Sequence, residues 1–142
     1  MYYYINSAIG HSKSPVLHEF LAREMGIFLS YRAVCAEHET LPSVLEEGKA
    51  ADILGFNITS PFKLDVMALA DTIDAEAMKM GNVNTMVNTG GKWTGYNTDG
   101  PGFMMALERN GILVKDKAVL LLGTGGTART LSYKFAQAGV KS

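Results

Sequence analysis

The stretch Gly55-Phe56-Asn57-Ile58-Thr59-Ser60-Pro61-Phe62-Lys63 limits the possible folds of this chain more than any other. An apolar run, Ile53 to Phe56, gives way to Asn57 and Thr59, then to a proline and a lysine within one helical turn. A buried strand delivers polar groups in this way to the rim of a parallel sheet, where ligands bind in α/β proteins. Pro61 suits the first position of a helix, with a fixed φ and no wasted N–H, so Lys63 is expected just inside that helix. A lysine held at such a junction can do proton chemistry, whereas one on an outer helix face usually cannot.

The rest of the chain alternates strand and helix patterns. Residues 2–7 read as a strand; Ser14 then caps a helix with Pro15 first, lined inside by Leu17, Phe20 and Leu21 and stopped by Gly26. Residues 29–34 read as a second strand, 40–47 as a short helix ending near Gly48, and 53–58 as a third strand. Helical turns follow from Pro61 to about Met80. Residues 84–88 and 92–96 flank Gly90-Gly91, predicting a hairpin and one antiparallel pairing. Residues 102–110 form a helix closed by Gly111. A short apolar strand at 118–122, a glycine turn and a helix from about Thr127 to Ala138 complete the pattern. The order predicts an α/β fold, a mostly parallel twisted sheet flanked by helices.

Composition removes several functional classes. With 142 residues there is ample chain for one core, and a net charge of −1 without any Lys/Arg run argues against nucleic acid or anionic membranes as partners. No segment approaches the roughly 20 apolar residues of a membrane span. Met1-Tyr2-Tyr3-Tyr4-Ile5 lacks the basic start and apolar core of a signal peptide, so a cytoplasmic protein is expected. Cys35 is the only cysteine, expected as a small apolar residue in a strand. His11 and His18 lack a third ligand, so no metal site is expected, and His38 reads as solvated. Trp93 and Tyr96 suit sheet packing. Met67, Met78, Met80, Met86, Met104 and Met105 read as core filler.

The glycine turn carries its own chemistry. In Leu121-Leu122-Gly123-Thr124-Gly125-Gly126-Thr127-Ala128 the glycines follow an apolar strand and open a helix. Gly123 allows the tight turn, Gly125 lets backbone approach a pyrophosphate, and small residues at Gly126 and Ala128 permit close packing. Gly123, Thr124, Gly125, Gly126, Thr127 and Ala128 are therefore the candidate dinucleotide-binding residues. The residue that reads the ribose is expected about 20 positions later, beyond Ser142, so the unit is expected to be truncated.

Four blocks now converge: Gly10-His11-Ser12-Lys13-Ser14-Pro15-Val16-Leu17-His18, the opening stretch, Gly81-Asn82-Val83-Asn84-Thr85, and Gly95-Tyr96-Asn97-Thr98-Asp99-Gly100. With the glycine turn after them, the chain resembles the N-terminal half of the shikimate dehydrogenases, NADP-dependent enzymes that reduce 3-dehydroshikimate to shikimate. The resemblance implies a substrate domain over residues 1–99. It also implies, over residues 100–142, a connecting helix and the first βα unit of an incomplete Rossmann-like NADP domain.

The resemblance places Ser12 and Ser14 at the substrate carboxylate, and Thr59, Asn84 and Asp99 around its hydroxyls with Lys63. Lys63 and Asp99 are the candidate catalytic pair: the lysine donates a proton to the carbonyl oxygen, or stabilises the developing alkoxide, while the carboxylate orients it. Asp99 alone could equally cap the following helix, and Ser14 the one it begins. Asn57 reads as a structural support for its loop. Asn82 departs from the family's usual alanine and is expected to alter the loop that positions Asn84. A binding module without redox chemistry, and a dehydrogenase acting on quinate or another ring acid, remain open alternatives. A chain truncated in this way would bind substrate without turning it over, and its open sheet edge could promote self-association.

Overall fold

The computed structural model describes the backbone of residues 2–6 and all of residues 12–142. Gly10 and His11 of the first block, and Ser7 at the expected end of the first strand, lie outside the described residues. The elements are β1 (Tyr2–Asn6), α1 (Ser14–Glu24), β2 (Tyr31–Cys35), α2 (Leu41–Ala50), β3 (Gly55–Ile58), α3 (Asp65–Leu69), β4 (Thr72–Ile73), α4 (Ala75–Met80), β5 (Thr85–Thr89), β6 (Lys92–Tyr96), α5 (Asp99–Arg109) and α6 (Gly126–Gln137).

The strands form one sheet in the order β2-β1-β3-β5-β6-β4. The β1/β2, β1/β3 and β4/β6 pairs are parallel, whereas β5 runs against both neighbours. The expected hairpin therefore creates two antiparallel pairings rather than one. Gly90 and Gly91 turn it with φ of 60° and 79°, the conformation a two-residue hairpin loop requires. The C-terminal ends of β1, β3 and β6 and the N-terminal end of β5 consequently share one rim.

One core lies against the sheet, built from Leu41, Leu45, Phe56, Phe62, Val66, Ala77, Val83, Met86 and Trp93 among others. Trp93 is fully buried, 5.3 Å from the Phe56 ring between centroids, and its indole N–H reaches the Leu45 carbonyl at 3.2 Å. Burying a side chain such as Phe56 or Leu45 contributes about 1.5–3 kcal/mol. Met80 and Met86 are core residues as expected, but Met78 and Met105 are exposed.

Several expectations are corrected. Helical structure begins at Ser14 itself, and the Ser12 hydroxyl accepts the Ser14 N–H at 3.2 Å, so Ser12 rather than Ser14 satisfies a backbone donor there. Leu17, Phe20 and Leu21 are about half exposed, because α1 turns Ala22 inward instead. Gly48 does not stop α2. It is buried within it, and a Cβ there would lie 2.7 Å from Phe56 Cε2, so the glycine is a packing requirement.

Pro61 does not start a helix either. Residues 60–64 form turns and α3 begins at Asp65. Beyond it, Asp71 draws the chain into the sheet: its N–H donates to the Trp93 carbonyl at 2.9 Å and its Oδ2 accepts the Trp93 N–H at 2.7 Å. The short edge strand β4 results, and Asp74 then caps α4 by accepting the Glu76 and Ala77 N–H groups.

Residues 118–122 lack a strand ladder. Two bonds reach the chain end, Val119 N–H to the Ser142 carbonyl and Lys141 N–H to the Lys117 carbonyl, leaving Leu120 and Leu122 exposed. Cys35 ends β2 with its side chain exposed, not packed inside.

Two predictions concern stability. Gly48→Ala should lower the melting temperature, because forcing a methyl into the Phe56 ring costs about 1–3 kcal/mol, more than the helix-propensity gain of at most about 1 kcal/mol; an unchanged melting temperature would show that the ring yields freely. Glu76 accepts a hydrogen bond from Lys134 Nζ at 2.6 Å, which holds its carboxyl below the ordinary 4.5. A depressed carboxylate stabilises the fold above its unfolded pKa, and that contribution is lost as pH falls through the lower folded value. Glu76→Gln should therefore be less stable at neutral pH and lose less stability on acidification below 4.5, as pH-dependent thermal melts would measure.

Candidate active site

The rim shared by β3, β5 and β6 gathers polar side chains from three separate segments. Lys63 comes from the turns after β3, Asn84 from the residue before β5, and Asp99 from the first residue of α5 after β6. Lys63 Nζ meets Asp99 Oδ2 at 2.6 Å, with the lysine side chain only 14% exposed and the aspartate 30%. Asn84 Nδ2 donates to Asp99 Oδ1 at 2.8 Å, so each carboxylate oxygen has its own donor. The helix-cap reading of Asp99 is corrected: it lies inside the first turn of α5, and Thr98 occupies the cap position.

Asn84 is itself fixed. Its Oδ1 accepts the Thr98 N–H and the Thr85 hydroxyl, both at 2.9 Å, and its backbone N–H donates to the Tyr96 carbonyl. The loop before it is pinned to the lysine segment by Val83 N–H on the Lys63 carbonyl at 2.9 Å. Asn57 takes the supporting part expected of it, accepting from the Tyr31 hydroxyl at 3.0 Å and lying 3.5 Å from the Thr85 hydroxyl. His18 stacks on Tyr31 with ring centroids 4.6 Å apart, and burial lowers its pKa from the usual 6.5.

Thr59 follows the end of β3 and is half-buried, as are Ser12 and Ser14 at the start of α1. Among the described residues, no hydrogen bond joins these three to the Lys63–Asp99–Asn84 cluster. The lysine has three N–H donors and the ion pair engages one, so the cluster can present a directed proton donor to a bound oxygen.

The glycine turn adjoins this region. Gly123 has φ of 125°, Gly125 precedes α6, and a Cβ at either position would meet nothing within 4 Å, which leaves backbone open to a ligand. Gly123, Thr124 and Ala128 line a cleft of about 760 Å³ with Lys79, Gly81, Arg129 and Ser132. A helix N-terminus beside two cationic side chains suits a phosphate group.

Of the residues that join the two regions, the sequence reading singled out only Asn82, as a departure from the family pattern, and missed its partners Asn97 and Thr130. Asn82 and Thr130 are fully buried and Asn97 nearly so. Asn82 Nδ2 donates to Thr130 Oγ1 at 2.8 Å and lies 3.1 Å from the Gly126 carbonyl, while Asn97 Nδ2 donates to Asn82 Oδ1 at 2.6 Å. A signal existed: the hairpin register, which pairs Thr85 with Tyr96, sets Asn82-Val83-Asn84 against Asn97-Thr98-Asp99.

Comparison with known proteins bears on the family of the chain. The family model for the shikimate dehydrogenase substrate binding domain matches residues 5–86. A shikimate dehydrogenase (NADP(+)) from Bacillus cereus strain 03BB102 is 42% identical over 142 residues, covering 99% of this chain and 51% of that protein. A Geobacillus relative of the same name is 39% identical with the same coverage. The crystal structure of shikimate 5-dehydrogenase from Thermus thermophilus in complex with NADP(H) and shikimate superposes with a TM-score of 0.93 at 36% identity, covering 99% of this chain and 53% of that one. The Aquifex aeolicus shikimate dehydrogenase gives 0.93 at 37% identity. The chain spans about half the length of the curated relatives it matches. It belongs to the shikimate dehydrogenase family, to which the match over residues 5–86 assigns it through the substrate-binding domain.

Proposed function

We propose that this chain carries the substrate site of an NADP-dependent shikimate dehydrogenase, which interconverts 3-dehydroshikimate and shikimate. Residues 1–99 bind the substrate, and residues 100–142 supply the connecting helix and the first βα unit of the NADP-binding part. The observation that carries the reading is the Lys63–Asp99 pair at 2.6 Å, held by Asn84 on the rim of the sheet. The relatives' names and the shikimate complex of the Thermus protein support the substrate class. Its partners in this reading are small molecules rather than nucleic acid or a membrane surface, and no described helix is long and apolar enough to cross a membrane. The 118–122 segment, with Leu120 and Leu122 exposed, is the surface through which copies could associate.

The division of labour follows from the chemistry. Ser12 and Ser14, beside the α1 N-terminus, take the ring carboxylate, where hydroxyls and the helix dipole favour an anion. Thr59 and Asn84 orient ring hydroxyls. Lys63 passes a proton to the carbonyl oxygen during reduction and accepts the hydroxyl proton in the reverse direction, while Asp99 keeps the Nζ in place. Gly123, Thr124, Gly125, Gly126, Thr127 and Ala128 would hold the cofactor pyrophosphate, a part the open backbone and flanking cations suit. NADP, when bound, supplies the hydride.

In the full gene product, Lys63→Ala should lower kcat for NADP-linked shikimate oxidation by about 10²–10⁴-fold, the range of a lost general acid or base, with a much smaller change in KM. Near-normal turnover would remove Lys63 from the chemistry. In calorimetry on the 142-residue chain, shikimate should bind without being oxidised, and Asp99→Asn should weaken that binding. Failure of the wild-type chain to bind shikimate would contradict the assignment of the substrate site.

A further inference from the structure

We infer that Asn82 is a positioning residue that couples the glycine turn to the Lys63–Asp99 pair, so that occupation of the dinucleotide site sets the geometry of the substrate site. The inference rests on the proposed function for the identity of the two ligands and on three observations of its own.

First, the side chain of Asn82 is fully buried yet reaches three segments. Its Nδ2 lies 2.8 Å from Thr130 Oγ1, 3.1 Å from the Gly126 carbonyl and 3.3 Å from the Met80 carbonyl. Gly126 is the first residue of α6 and directly follows the Gly123-Thr124-Gly125 turn, and Thr130 is one turn further along. A Cβ on Gly126 would sit 3.6 Å from Asn82 Cγ, so the start of the helix rests directly on this amide.

Second, Asn82 accepts at the same time from the other side of the site. Asn97 Nδ2 donates to Asn82 Oδ1 at 2.6 Å and lies 3.2 Å from Thr130 Oγ1. The Asn97 Oδ1 accepts the Asp99 N–H at 3.1 Å and lies 3.4 Å from the Gly100 nitrogen. One amide pair therefore spans from the Gly126 carbonyl to the backbone of the residue whose carboxylate holds Lys63.

Third, the packing beneath the network leaves little room to slide. A Cβ on Gly100 would lie 2.8 Å from Thr130 Cγ2, so α5 and α6 touch at the point where the hydrogen bonds cross. Val83 N–H on the Lys63 carbonyl and Asn84 on Asp99 carry any shift of Asn82 to both members of the pair within two residues. Dense interiors transmit displacement rather than absorb it, and a misplacement of 1 Å at a catalytic group costs about 10²-fold in rate.

The test uses the full gene product and two variants that cut the network at different points. Asn82→Ala removes both halves of the bridge. Thr130→Val keeps the shape of α6 and leaves the 81–84 loop chemically intact. For each, the shikimate Kd is measured with and without saturating NADP, together with kcat, KM and the melting temperature. In the wild-type protein NADP should change the shikimate Kd by a factor within the usual allosteric range of about 5–150. Both variants should bring that factor toward one and lower kcat, and Thr130→Val, which leaves the 81–84 loop intact, should keep shikimate affinity without NADP within about two-fold of wild type.

Glu76→Gln breaks the separate Lys134–Glu76 tie between α4 and α6 and is the control. It should reduce stability and leave the factor unchanged. A wild-type factor near one, or variants that keep the wild-type factor, overturns the coupling and leaves the dehydrogenase reading standing. A wild-type protein that does not oxidise shikimate overturns that reading and the inference together.

Discussion

The direction of β5 decides where the candidate site sits. Because this strand runs against β3 and β6, its first residue and the last residues of its neighbours meet at one rim. Lys63, Asn84 and Asp99 are far apart in sequence, and the Gly90-Gly91 reversal brings the second and third together from opposite ends of one hairpin. Had β5 been parallel, the Asn84 loop would lie at the opposite end of the sheet from Lys63. The site is thus a product of topology first and of side-chain chemistry second.

Two kinds of packing hold that topology. Beneath the sheet, Trp93, Phe56, Phe62, Leu41 and Leu45 form a dry core with Gly48 shaped to receive an aromatic ring. Beside the rim the fold instead buries Asn82, Asn97 and Thr130 as one cluster, which is costly unless each polar atom finds a partner. Here they find one another. The apolar core fixes where the strands run, and the amide cluster fixes how α6 and its glycine turn sit against them.

Much of this was legible in the residues. The alternation of strands and helices, the hairpin and the glycine turn carry local signals that the structure keeps, and the Lys63–Asp99–Asn84 grouping, implied by the family resemblance, is brought together in space. What escaped was decided by partners distant in sequence. Gly48 looked like a helix stop because its role depends on Phe56, and the 61–80 segment looked wholly helical because Asp71 bonds to Trp93 across 22 positions. Leu17, Phe20 and Leu21 follow a helical stripe, yet α1 buries Ala22 and meets Tyr31 of β2 through His18 and Glu19. Residues 118–122 have the composition of a buried strand, but composition cannot supply a ladder, and among the described residues the backbone bonds here are those of Val119 and the neighbouring Lys117. Asn82 stood out only as a departure from a pattern, with nothing local to say that its amide reaches residues 44 and 48 positions away.

The exposed thiol of Cys35 has a practical consequence. It ends β2, which runs parallel to β1 and, through it, to β3, so the only cysteine of the chain stands on the same edge of the sheet as the ion pair. A fluorophore or spin label would attach there at a single position without mutagenesis. Such a reporter would look along the edge that carries the proposed substrate site, and spectroscopy could follow ligand entry without touching Lys63 or Asp99.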